Sequence, residues 1–449
     1  MAGWSQVRET RTIRAGHRPG TIVRCGLMDT TLADLPVSVV FLFAHALDEA
    51  RLAGGLARAL AHLPVFAGRL RTRAGRLEIV CDDAGVPMTF VDLDEPLAGA
   101  VGRVTLPASG LVTHVDAAGA RHGGQPLLTV QVSRLAGGGT AIGCSWHHAV
   151  GDISTFMLLM RAWSAAVEGT PPPEVRIVED REAYLDEVLP REDSGRPGLR
   201  LPDPAEAVEL KRQLEAAARS SRTVQVYLGD AEVGRMREEL SAAAGQNLSR
   251  NGALCAHLVS TLRHLDGDTQ TRVLTLPVEL RRRYALPPGV VGNVLSEVSL
   301  PWSPAGGPAT LAVAIRAALD DFTRSHLSFR ANRAFVDSIG TSRIGECVSV
   351  GFDPANRAIS VSNWSRLGAY GIAFDGHHPA AFSPATTFQL PWVSWLVEGF
   401  GNSGFLYTIA VPSTLAGRLR GPEGRAALHR FRRPEDPLPP LATEVRKLL

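Results

Sequence analysis

Apolar and polar residues alternate along LLTVQVSR (residues 127–134) and, after the turn AGGG, alternate again along TAIGCSW, where Ile142, Cys144 and Trp146 share a face. This period of two predicts a β-hairpin. In the following STFMLLMRAWSAAVEG the period becomes helical, with Phe156, Leu159, Met160, Trp163 and Val167 on one stripe, and Gly169 before three prolines ends the helix. The segment HHAVGD, residues 147–152, is therefore predicted to join a strand to a helix.

From Gly169 to Pro204 the chain is rich in proline, arginine and acidic residues and has no sustained apolar period, which predicts a crossover between domains. The expected division is a first domain over 1–170, a linker over 171–205 and a second domain over 206–449. The second begins with a polar helix in EAVELKRQLEAAARS and a strand in TVQVYL. Helices follow around Val233, Met236 and Leu240 and around Leu254, Leu258 and Leu262. RVLTLPV, VLSEVSL, AISVSNW and FLYTIAV read as strands, and LAVAIRAALDDF as an amphipathic helix. The pattern is mixed α/β. No short internal repeat is present, and no GxGxxG or GxxxxGK loop supports nucleotide chemistry.

Length and composition agree with this picture. A chain of 449 residues suits two domains of about 200 residues each. Its 45% apolar and 20% charged residues are those of a globular protein. The net charge is +2 and no basic run occurs, which argues against a nucleic-acid partner. The most apolar stretch, LPVSVVFLFAHAL, is too short to span a bilayer, so neither a membrane association nor an export signal is expected and the protein is read as cytoplasmic. The five cysteines, Cys25, Cys81, Cys144, Cys255 and Cys347, form no CxxC pair and are expected to be reduced and mostly buried. Only Lys211 and Lys447 are lysines among 47 basic residues, which points to a GC-rich bacterial genome.

The chemistry concentrates in HHAVGD. An imidazole titrates near neutrality and suits a base that takes a proton from an attacking hydroxyl or amine. His148, between a strand and a helix, is placed to present its ring at a sheet edge. The alternative is structural: His147 and His148 are loop histidines, and Asp152 caps the helix after it. Spacing alone leaves both open.

The surrounding segments carry a resemblance over almost the whole chain. LPVFAGRLRTRAGRLEIVCDDAGVPMTFVD, QPLLTVQVSRLAGGGTAIGCSWHHAVGDISTFMLLMRAWS, LSRNGALCAHLV and ELRRRYALPPGVVGNVL resemble, in that order, successive segments of the BAHD acyltransferases, whose motif is HxxxD. The resemblance implies two similar α/β domains of the chloramphenicol-acetyltransferase type, mixed sheets flanked by helices, with a channel at their interface. It implies transfer of an acyl group from acyl-CoA as co-substrate, or from a carrier protein, to a hydroxyl or amine of a small, specialised metabolite. No bound cofactor, metal or acyl-enzyme is implied, and a monomer is expected.

Carried over by position, the motif histidine falls on His148 as general base and the aspartate on Asp152, whose role in the family is to pair with an arginine behind the loop. Arg281 matches that arginine, with Arg282 and Arg283 as alternatives. His147 corresponds to a packing neighbour of the base. Asn293, in the family's GN pair with Gly292, is expected to border the channel. Trp364, after Asn363, corresponds to a channel tryptophan, or else belongs to the core.

Two departures stand out. Ile153 replaces the glycine that follows the motif aspartate. In NWSRLGAYGIAFDGHHPAAF the family's DFGWG survives only as Phe374, with Ala373, Asp375, Gly376 and His377 at the other positions. His377 and His378 lack the ligand set that zinc requires. These departures keep two rivals in view: a repurposed fold that catalyses elimination or a pericyclic closure, and a non-catalytic binding module.

Overall fold

The alternating run around Trp146 forms the strand Thr140–His147, which pairs antiparallel with Leu128–Ala136 in register Thr129 to Ser145. The computed structural model describes residues 5–107, 109–191, 194–385 and 390–448. All eight residues of Thr140–His147 are buried, because strands flank it on both sides and both faces are covered. Its polar alternates therefore need partners. Ser145 accepts from the Ser38 hydroxyl at 2.9 Å and from the Val115 N–H at 3.1 Å.

The predicted helix follows as Ile153–Glu168, capped by Asp152 and closed by Gly169 in the left-handed region (φ 72°). Its apolar stripe packs on Glu49–His62. A side chain at Gly55 of that helix would meet Val167 at 2.4 Å, so glycine sets the close approach. Trp163 fills the seam and donates from its indole to the Leu52 carbonyl at 2.9 Å. Trp146 and Phe156 stack at 4.2 Å and are fully buried, each contributing on the order of 2 to 3 kcal/mol of transfer free energy.

Two six-stranded mixed sheets organise the molecule. One runs in the order Ser5–Ile13, Val86–Pro96, Leu128–Ala136, Thr140–His147, Pro36–Phe43, Ala381–Pro384. The other runs Ser221–Leu228, Phe405–Pro412, Val393–Glu398, Ile359–Asn363, Arg272–Glu279, Leu295–Trp302. Helices flank both, as expected for the α/β fold. None of the described helices is long and apolar enough to cross a membrane.

Two features of the structure bear on the expected domain division. The linker over 171–205 is not without structure. It carries the helix Arg181–Val188, capped by Asp180, whose Tyr184 and Leu185 join the second core, and the short strand Leu199–Arg200. With so few apolar positions its period was too weak to read. The range 206–449 also does not stay within the second sheet. Ala381–Pro384 crosses to the first sheet and pairs with Pro36–Phe43, Ala381 opposite Leu42, with Phe382 tilted against Phe41 at 4.7 Å. It supplies a partner to an edge that would otherwise be open.

Candidate active site

HHAVGD forms a single 3-10 turn, His148–Val150, between the strand and the helix. The two histidines go opposite ways. His147 is fully buried and its Nδ1 accepts from the Ala149 N–H at 3.1 Å, so its Nε2–H donates to the Ala117 carbonyl at 3.2 Å. Burial pushes its pKa down to about 4, against the smaller opposing effect of that carbonyl. It is a neutral strut under the turn.

His148 lines a cavity of about 300 Å³ together with Ser38, Ile153, Trp364, Trp395 and Glu297. Its tautomer follows from Asn293. The Asn293 Nδ2 lies 2.7 Å from an Asp29 carboxylate oxygen and 2.8 Å from the His148 carbonyl, both acceptors. The amide oxygen therefore faces the His148 Nδ1 at 3.0 Å, which fixes the proton on Nδ1 and leaves the Nε2 lone pair free. Burial lowers the pKa of His148, with Asp152, Asn293 and Asp29 partly opposing, so the ring is held toward its neutral form.

Behind the turn Asp152 does two things at once. One oxygen accepts from the Thr155 N–H at 2.9 Å, which is the helix cap; the other accepts from the Arg281 Nη1 at 2.8 Å and from the Val294 N–H at 3.0 Å. The cap and the ion pair, weighed as alternatives from sequence, coexist on one carboxylate. Burial alone would raise its pKa, but Arg281 and the N–H donors outweigh that and hold it below the usual range. Arg281 spends its remaining donors on Glu279, Thr155 and the carbonyls of Val290 and Gly292. Arg282 and Arg283 point elsewhere: both are exposed, and Arg283 lies over the Phe322 ring at 4.6 Å.

Gly292 is where the two halves of the molecule interlock. Its carbonyl accepts from Thr155 Oγ1 at 3.0 Å and Arg281 Nη2 at 2.8 Å, and at φ 140° a side chain would meet Arg181 Nε at 2.9 Å. Only glycine lets the backbone pass between the two arginines.

Two residues that sequence reasoning missed complete the support. Arg181, buried in the supposed linker, donates to the carbonyls of Ala149 and Val150 at 2.8 Å each and pairs with Asp29 at 3.0 Å. Asp29, 2% exposed, joins Arg181 to Asn293. A buried acid in the apolar CGLMDTTL was the available signal for Asp29; Arg181 sits among surface charges and gave none.

Asn293 requires a correction. It is 3% exposed and stands behind His148, outside the cavity wall, because its amide is fully used by Asp29 and His148. Trp364 lines the cavity while only 7% exposed, and Asn363 beside it also reaches the wall. Ile153 is the first residue of the motif helix and lines the cavity, so the missing glycine adds an apolar surface there.

The altered second motif lies away from this cavity. Asp375 and Gly376 make a tight turn with φ 54° and 75°, closed by paired bonds between Phe374 and His377. Asp375 pairs with Arg51 at 2.8 Å and accepts from the Asp48 N–H, while Phe374 is buried against Phe43 and Trp163. His377 stacks on His45 and His378 bonds the Ile372 carbonyl. The segment clamps the helices of the first domain.

The chain matches the model of the Transferase family over residues 27–391 and belongs to that family, the BAHD acyltransferases. It is 26% identical over 389 residues to agmatine hydroxycinnamoyltransferase 1 of Oryza sativa subsp. japonica, covering 81% of this chain and 84% of the relative. In fold it is similar to vinorine synthase (TM-score 0.68, 17% identity, 92% of this chain and 96% of that one). It is also similar to the F. sporotrichioides protein TRI101 complexed with coenzyme A and T-2 (TM-score 0.68, 14% identity, 90% and 98%). The chain is an acyltransferase, and acyl-CoA serves its family as co-substrate.

Proposed function

We propose that this acyltransferase moves an acyl group from acyl-CoA to a hydroxyl or amine of a small specialised metabolite, with His148 Nε2 as the general base. The observation that carries this reading is the Nδ1–H of His148 held on Asn293, which aims a basic nitrogen at the cavity. Nε2 takes the proton of the acceptor as its oxygen or nitrogen attacks the thioester carbonyl. The tetrahedral intermediate collapses with cleavage of the C–S bond, and the imidazolium returns its proton to the leaving thiolate. Asp152 and Arg281 hold the turn and touch no reacting atom.

Trp364 and Ile153 would bound the acyl or acceptor body. A carrier-protein thioester is the second donor, and a bacterial source is what the arginine-rich, lysine-poor composition supports. The complete His148, Asn293, Asp152 and Arg281 arrangement supports catalysis over simple binding, which needs no base so placed; an elimination would use the same base, and it is the family match that favours acyl transfer over it.

His148→Ala is expected to lower turnover with acyl-CoA and an accepted alcohol or amine by about a hundredfold to ten-thousandfold, with an unchanged circular dichroism spectrum. Because the working form of the ring is neutral and burial favours that form, the acid limb of the kcat/KM profile with an alcohol acceptor, which does not itself titrate there, should fall below the ordinary histidine value. Near wild-type turnover by the variant, or an acid limb above that value, would exclude His148 as the base.

A further inference from the structure

The charges around the cavity are lopsided. Among the described residues that line it there is no arginine or lysine, and His148 is its one basic side chain. Three carboxylates reach it. Asp152 and Glu279 are both bonded to Arg281. Among the described residues Glu297 has no cation beside it.

Glu297 lies on the strand Leu295–Trp302, opposite Pro277 of the neighbouring strand. Its carboxyl rests against Gly351, where a side chain would meet Oε1 at 3.1 Å. Burial pushes its pKa up to about 7, with the Thr275 hydroxyl pulling the other way. Glu297 is half-buried on the cavity wall, and a carboxylate drawn partly out of water without a cation gains when an incoming group supplies the opposite charge. The same cavity wall carries the apolar side chains of Leu199, Val278, Leu327 and Phe352 alongside the uncharged polar residues Ser296, Asn332 and Ser349.

We infer that the acceptor is a cationic amine, a compound with an apolar stem that carries a protonated amino or guanidino group besides its nucleophile, and that Glu297 is the carboxylate that receives this charge. The inference rests on the acyl-transfer reading and narrows it. An acceptor bearing a carboxylate of its own meets only like charge here, and specificity is set as much by that repulsion as by the pairing. Glu297 acts in binding and takes no part in the proton transfer at His148.

The test compares 1,4-diaminobutane with 1-aminobutane as acceptors for the full chain, with one accepted acyl-CoA, in wild type, Glu297→Gln and Glu297→Asp. The diamine should be the better substrate of the wild type. Glu297→Gln should raise its KM on the order of thirtyfold, the effect of removing one partner of a desolvated charge pair, while kcat and the monoamine change little. Glu297→Asp should recover part of the loss, and serves alone if the glutamine variant does not fold. In parallel, diaminobutane without donor should raise the Tm of the wild type and not that of Glu297→Gln.

No preference for the diamine, or an equal effect of Glu297→Gln on both acceptors, overturns the inference while leaving acyl transfer intact. A Tm shift that depends on Glu297, with no acylation from any donor, leaves the cation site standing and removes acyl transfer instead. Absence of both the shift and the preference overturns the inference.

Discussion

His148 can act as a base only while its proton stays on Nδ1, and at the residue scale that is decided by atoms that never meet substrate. Asn293 presents its oxygen because Asp29 and the His148 carbonyl occupy its nitrogen. Asp152 bears the same logic on the other side of the turn. If it were a cap alone, Asp152→Asn would be nearly neutral, since asparagine caps about as well as aspartate. The Arg281 Nη1 at 2.8 Å and the Val294 N–H at 3.0 Å predict otherwise, because the second amide position would bring a donor against donors or leave them unmet. Asp152→Asn should lower stability by about 3 kcal/mol in urea unfolding, as expected when a buried ion pair loses one partner. A change within a few tenths would leave the cap as the better account. The lowered pKa of Asp152 fixes the sign with pH. Its contribution is present above the ordinary carboxylate range and fades as pH falls through the depressed value, and the variant should lose that acid-side dependence.

At the scale of elements, the parts legible in the sequence were those with a clean period. The hairpin through Trp146, the motif helix and the strands Arg272–Glu279, Leu295–Trp302 and Phe405–Pro412 lie where alternation or the helical stripe placed them. HHAVGD fell between a strand and a helix for the same reason. What escaped was set by tertiary contact rather than by period. Ala381–Pro384 is four residues long and becomes a strand only because the edge of Pro36–Phe43 is there to pair with it. Arg181–Val188 has two buried apolar side chains and a polar remainder, yet it delivers Arg181 to the carbonyls of Ala149 and Val150. Arg181→Met keeps the apolar stem and removes the donors, leaving Asp29 buried without its cation. The expected result is a loss of about 3 kcal/mol in urea unfolding and a fall in kcat larger than the rise in KM, because the turn that aims His148 loosens. Unchanged kcat with normal stability would show that the turn holds its shape without this helix.

At the scale of the whole molecule, the site is shared between halves that do not separate cleanly. The base and Asp152 come from the first sheet's motif loop, Arg281, Gly292 and Asn293 from the second half, and Arg181 from the segment between. The first sheet also takes Ala381–Pro384, and the first core takes Trp364, Phe374 and Phe382, all from beyond residue 360. A fragment ending at residue 205 would therefore lose more than its catalytic partners. It would expose one edge of PVSVVFLF, an apolar run free of charge and glycine, as an unpaired strand, and uncover the pocket in which Phe374 is fully buried against Phe43 and Trp163. Such an edge is a template for pairing with other copies. Expressed alone, residues 1–205 should be insoluble, or elute as large aggregates on size exclusion with little near-UV circular dichroism, whereas co-expression with residues 206–449 should return soluble material. A monomeric fragment with a cooperative thermal transition would mean that the first core closes without its borrowed strand, and that the crossing at Ala381–Pro384 serves only to align the halves around His148.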